Sequence, residues 1–211
     1  MATTKLKAVN TLLSIIGEAP VNSLTPPLTG DTSLAESVLE EISTEVQGAG
    51  WSWNTRIAAS IPLDTNGETT LGSNTLAVRF NPISYPSQRF ILRGTKIYDR
   101  VKATYDLRGS LGVAITGSTS DLIAEIVEEL DWDTIPETGR RYIMIRAGRI
   151  FSNRAVTSNS IEAYTAEDEE NALRILRRTE DMAQNYNLIS GPDDLYGGRV
   201  MTTFGPDILD R

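Results

Sequence analysis

No cysteine and no histidine occur in the 211 residues of this chain. Their absence excludes disulfide frameworks, thiol nucleophiles, Ser-His-Asp triads, Cys/His zinc sites and histidine acid–base catalysis. Only carboxylate, lysine or tyrosine remains for proton transfer. Positive charge is also scarce: 20 Lys and Arg stand against 28 Asp and Glu, a net charge of −8, the wrong sign for a surface that grips a polyphosphate. No apolar run approaches the roughly 18–20 residues of a membrane span. Lys5 and Lys7 precede an apolar stretch over residues 9 to 16, but Asn10, Thr11 and Ser14 interrupt it, and Glu18 and Pro20 stand where small residues would be cleaved. A helix of the mature protein is expected there rather than a signal peptide. With 40% apolar and 23% charged residues, the composition is that of a folded, soluble protein. The length suits one domain, or one domain with an insertion.

Leu6, Val9, Leu13 and Ile16 recur at helical steps, predicting a first helix over 4 to 16 that Gly17 and Pro20 stop. Ser33 and Glu36 fit a capping box for a second helix whose stripe is Leu34, Val38, Ile42 and Val46, ending at Gly48. From Trp51 the period changes to two. Ile57, Ala59, Ile61 and Leu63 alternate with Arg56, Ala58, Ser60 and Pro62, and Leu76, Val78 and Phe80 follow the same rule. Asn66-Gly67 marks a turn, and Arg93-Gly94-Thr95 joins two apolar segments as a hairpin. The stretch from Leu122 to Leu130 is read as strand. Pro136 and Glu137 open a third helix with Ile143, Ala147, Ile150 and Phe151 inward, running to about Arg154. Thr165 caps a fourth, whose acidic first turn precedes Arg174, Arg177 and Arg178; Leu173, Leu176 and Ala183 face inward and Glu170 pairs with Arg174. The expected fold is α+β, divided into helices in 1–50, an inserted β region in 51–133, helices in 134–190 and an extended C-terminal tail in 191–211. Four glycines and two prolines among apolar residues mark that tail as a segment that orders against something else.

Two features could carry chemistry. Glu125, Glu128, Glu129, Asp131, Asp133 and Glu137 form the densest carboxylate cluster, and Trp132 between two acids suits a sugar-binding platform for a carboxylate hydrolase. The plainer reading is an acidic turn before a helix N-terminus. The Asp-x-Asp lacks the remaining ligands and glycine of a calcium loop, and Gly109-Ser110-Leu111-Gly112 lacks the Lys-Ser/Thr of a phosphate loop. No cofactor or metal is expected. The second feature is Arg140, Arg141, Arg146, Arg149 and Arg154, a basic run following seven acids and no base in residues 121 to 137. It pairs within the fold, or it offers a contact surface to another protein. Trp51, Trp53, Tyr85, Tyr98 and Tyr142 are expected at the core or its edge.

Several segments, in order, resemble the tail tubular protein A family, the head-to-tail adaptors of short-tailed podoviruses. They are Ala8-Val9-Asn10-Thr11-Leu12-Leu13-Ser14-Ile15-Ile16-Gly17-Glu18-Ala19-Pro20-Val21; Gly50-Trp51-Ser52-Trp53-Asn54; Arg93-Gly94-Thr95-Lys96-Ile97-Tyr98-Asp99-Arg100; and the stretch from Ile135 through Gly139-Arg140-Arg141-Tyr142 to Asn153-Arg154. The resemblance implies a four-helix bundle with an inserted antiparallel sheet. It also implies a virion structural protein, made in the host bacterial cytoplasm, that forms a ring, expected to be a dodecamer. That ring would dock on the portal protein, carry the tail nozzle (tubular protein B) with tail fibres near the junction, and surround DNA without binding it specifically. No enzymatic activity is implied, and no membrane partner. Candidate interface residues are the five arginines together with Leu195, Tyr196, Val200, Met201 and Phe204 of the tail. The competing readings are a soluble protein-binding module and a carboxylate-dependent polysaccharide hydrolase of the phage tail.

Overall fold

A computed structural model of the chain describes residues 3–81, 85, 89–110, 114–116, 119–155 and 164–184. Among these residues four helices form one apolar core and antiparallel strands form a second, so the fold is α+β. The predicted tail from 191 onward and the side chain of Ala183 lie outside the described residues.

Helix α1 (Lys5–Ile15) starts where the Thr4 hydroxyl accepts the Lys7 N–H. It stops at Gly17, whose φ of +80° suits a residue without Cβ. The Gly17 N–H then reaches the Ser14 carbonyl and the Glu18 N–H reaches that of Leu13, closing the helix end with a left-handed cap. Asn10, a polar interruption in the apolar stripe, bonds both the N–H and the carbonyl of Val21 and so folds the next segment back onto α1.

Helix α2 (Gly30–Gly48) begins one turn before the predicted capping box. Thr29 is the cap, its hydroxyl accepting the Thr32 N–H, and Asp31 supplies the favourable first-turn charge. Ser33 is therefore inside the helix, and Glu36 serves Lys5 of α1 at 2.7 Å instead of closing a box. Helix α3 (Glu137–Ala155) follows Pro136, whose carbonyl accepts the Arg140 N–H, and packs against α1, α2 and α4. Helix α4 (Ala166–Gln184) is capped by Thr165 through reciprocal bonds with Asp168. Its Arg174 bonds Asn171 rather than the predicted Glu170. Phe151, Leu12, Leu13, Leu39, Ile42 and Ile143 are fully buried between the helices.

The sheet has β6 (Thr119–Glu128) at its centre, between β1 (Thr55–Pro62) on one side and β2 (Thr75–Arg79) on the other. The short β5 (Ala114–Thr116) pairs with the start of β6. Leu122, Ala124 and Ile126 point to one buried face, the two-residue period of a strand; the predicted 122–130 stretch is strand up to Glu128, and Glu129 and Leu130 lie beyond it. Strands β3 (Phe90–Arg93) and β4 (Lys96–Asp99) form the predicted hairpin, with Arg93 opposite Lys96 and Gly94 at φ +61°. Alternation in β1 fails at one point. A bulge between Arg56 and Ala59, with Ala58 at φ +54°, turns Ile57 outward, where it is 59% exposed, while Ala59 and Ile61 are buried.

Sheet and helices meet at the C-terminus of α2. The fully buried Gln47 side chain accepts the Leu130 N–H at 2.7 Å and donates to the Leu130 carbonyl at 3.2 Å. Asn54 donates to the carbonyls of Gln47 and Glu128. The chain's entry into the sheet and its return from it are thus tied to one helix end by bonds that satisfy the Gln47 and Asn54 side-chain amides. Trp51 and Trp53 stack beside this junction with nearly parallel rings, against the helical core.

Candidate interaction surface

The sequence pointed to one face of α3, and its arginines occupy four different environments. Arg140 is buried and donates to the Thr3 carbonyl, which also accepts the Trp132 indole N–H. Glu137 accepts the Thr3 N–H and hydroxyl, and these bonds hold its carboxyl below the usual value. The start of α3 therefore grips the N-terminal segment. Arg146 donates to Glu169 of α4 and Glu45 of α2, both at 2.6 Å. Arg149 shares Glu169, and Arg154 forms a fork onto both oxygens of Glu41. Burial opposes the charge on Arg146, but the Glu45 and Glu169 bonds outweigh it and raise the guanidinium above its ordinary value.

These contacts make an electrostatic seam along three helices. Glu45 pairs with Arg146, whereas Glu41, one turn earlier on α2, pairs with Arg154 further along α3, as antiparallel packing requires. Glu169 is only 13% exposed, so its two bonds operate with little solvent competition. Arg141 and Arg154 are the exposed members of the set, and Arg141 takes no part in these pairs. Leu195, Tyr196, Val200, Met201 and Phe204 lie outside the described residues. The sequence reading did not find Glu41 and Glu45. Their i,i+4 spacing on a predicted helix was the available signal, but the partner helix comes from a distant part of the chain.

The carboxylate cluster is distributed among structural roles. Glu125 pairs with Arg79 of β2 and Glu128 with Arg56 of β1, while Glu129 accepts the Thr44 hydroxyl. Glu137 belongs to the Thr3 clamp, and its lowered titration is the opposite of what a general acid needs at neutral pH. Asp131 and Asp133 remain at the surface beside Trp132, whose indole N–H is committed to Thr3. Among the described residues no group of three or more acidic side chains is arranged to hold a metal ion.

The tail tubular protein family matches residues 6 through 186, a span that runs from the second residue of α1 to beyond the end of α4. The chain belongs to the tail tubular protein family. No curated protein matches it. As a tail tubular protein it is a structural component of the phage tail, located in the tail of the virion and working with other structural proteins of that assembly. Such membership argues for a structural rather than an enzymatic role. No helix among the described residues of this tail tubular protein is long and apolar enough to cross a membrane.

Proposed function

We propose that this tail tubular protein is a head-to-tail adaptor. Copies form a ring, a dodecamer, that docks on the portal protein and carries the tail nozzle, with tail fibres near the junction. The ring lines the channel through which the genome leaves. Support comes chiefly from the family match, which spans residues 6 to 186 and so reaches from the first helix through the sheet to the fourth. The net charge of −8 fits the same role. Repeated around a ring it gives an electronegative channel, which DNA traverses without the counterion release that would make it stick. In this reading residues 1–50 and 134–190 form a four-helix bundle, 51–133 is the β insertion, and 191–211 is an extended arm. The arm orders on a neighbouring subunit or the portal through Leu195, Tyr196, Val200, Met201 and Phe204, with the α3 arginines contributing to the same contacts. Arg141 is available for this directly, and the others would exchange partners. Production occurs in the host bacterial cytoplasm before assembly.

Light scattering after size exclusion tests the proposal, first on the protein alone and then mixed with portal rings from the same virion. The chain should move into the portal peak at about one copy per portal subunit. Deleting 192–211 should impair that shift and leave the helical signal intact. A protein that ignores portal rings at every salt concentration would refute the adaptor reading and favour an independent binding module. Release of sugars from host polysaccharide, lost in Asp131→Asn and Asp133→Asn, would instead establish the hydrolase.

A further inference from the structure

This acidic chain carries a basic hairpin. Residues 89–110 contain Arg89, Arg93, Lys96, Arg100, Lys102 and Arg108 against only Asp99 and Asp106. Three of these bases are neutralised where they stand: Arg89 by Asp99, Lys96 by Glu68 and Arg108 by Asp106. Arg93 lies over the Tyr98 ring, 3.8 Å from its centre. Among the described residues Arg100 and Lys102 have no acidic partner within ion-pair distance, and the Lys102 ammonium donates only to the Arg108 carbonyl at 3.3 Å. They flank Val101, which is 69% exposed and is the most exposed large apolar side chain among the described residues.

This tip is rigidly held. The Asp99 carboxylate, fully buried beneath it, accepts the Val101 N–H at 2.8 Å and the Lys102 N–H at 3.1 Å, and Asp99 and Thr104 exchange backbone bonds across the loop. The fold thus invests a buried, fully bonded carboxylate in presenting an apolar side chain between two cations to solvent. A preordered tip loses little entropy on docking.

A complementary hollow lies on the other part of the molecule. A groove of about 570 Å³ has Leu39, Leu130 and Trp132 in its lining; Lys5 at its edge pairs with Glu40, and Asp131 and Asp133 are its acids without so close a cation. Asp133 is 82% exposed, with only a distant contact to Arg140 at 4.0 Å. Asp131 caps a short helical turn without a side-chain bond to it. Two exposed carboxylates beside an apolar lining match two cations that no carboxylate neutralises beside a valine.

We propose that the Arg100–Lys102 tip of one copy docks in the Asp131–Asp133 groove of the next, a head-to-tail contact between two different surfaces. Contacts of this kind close into rings when the rotation per step divides the circle. The proposal rests on the ring reading above and names its interface. An acidic protein surface fits the tip better than nucleic acid. Two side-chain cations without a carboxylate partner, with a third stacked on tyrosine, neutralise few phosphates, while an exposed valine between charges suits a small protein pocket.

The cysteine-free chain permits a direct test. Full-length Val101→Cys protein is mixed with Asp131→Cys protein under mild oxidation, alone and on portal rings, with Val101→Cys plus Glu18→Cys as the control. The first pair should cross-link and the control should not. Arg100→Glu with Lys102→Glu should weaken self-association at least about tenfold, and adding Asp131→Lys with Asp133→Lys in the same chain should restore it. Rings that assemble unchanged with the reversed tip, and no cross-link, would overturn the interface while leaving the ring standing. Wild-type protein that stays monomeric alone and on portal rings would overturn both. Duplex DNA binding lost in the tip variant without any change in assembly would reassign the tip to nucleic acid. Should the reversed tip lower the melting temperature, the cysteine pair alone decides.

Discussion

Asp99→Asn tests the electrostatics of the hairpin most sharply. The carboxylate has no solvent exposure, and it binds on both oxygens: Arg89 Nε and Nη2 and the Ser110 hydroxyl donate to one, the Val101 and Lys102 amides to the other. Burial pushes this carboxyl up, but the Arg89, Lys102, Ser110 and Val101 bonds together outweigh it and hold it at about 2, below the ordinary 3.8. That difference corresponds to about 2.5 kcal/mol of linked stability at neutral pH. Asparagine preserves the shape, yet in either orientation its NH₂ faces donors. Arg89, itself only 13% exposed, also loses its counter-charge. The total cost should be about 3–4 kcal/mol. For a chain of this size that lowers the melting temperature by about 6–15 °C.

The sign of the pH dependence follows from the lowered carboxyl. Its contribution is fully present above the unfolded value near 3.8 and disappears as pH falls toward 2. Urea unfolding of both proteins at neutral pH and through this acid range should show a gap that narrows on acidification. An Asp99→Asn midpoint equal to wild type at neutral pH, or a gap of constant size into acid, would refute the reasoning.

Three further outcomes can be measured on the same instruments. Glu169→Gln removes the charge shared by Arg146 and Arg149 and should cost about 1–3 kcal/mol, less in high salt, in denaturant titration. Gly148→Ala would gain about 1 kcal/mol of helix propensity on an open face, but its methyl group would lie 2.7 Å from the Tyr164 ring and 3.1 Å from Ile15, so a net loss in thermal stability is expected. Ile57→Thr should change stability by less than about 0.5 kcal/mol because the bulge exposes it, whereas Ile61→Ala should cost about 2–5 kcal/mol. Equal effects at 57 and 61 would show that the bulge does not form in solution.

The elements were legible wherever local physics decides them. Gly17 ends α1 because the left-handed cap needs a residue without Cβ; Thr165 caps α4 because its hydroxyl meets the first-turn amides; Gly94 turns the β3–β4 hairpin. The family resemblance was legible for the same reason, since its motifs fall at these helix ends and turns. One helix start was misplaced from sequence alone. Ser33 with Glu36 marked the start of α2, but the helix begins a turn earlier at Thr29, and Glu36 pairs with Lys5 of another helix.

Long-range partners were invisible. That Glu41, Glu45 and Glu169 meet the α3 arginines depends on three helices lying side by side, and that Ile57 faces solvent depends on how β1 registers against β6. The amino-acid sequence by itself determined the elements, the overall charge and the family, because periodicity, turn chemistry and composition are properties of neighbouring residues. Only the tertiary structure decided which charges are spent inside the fold and which remain at the surface: burial and pairing depend on residues far apart in the chain coming within a few ångströms.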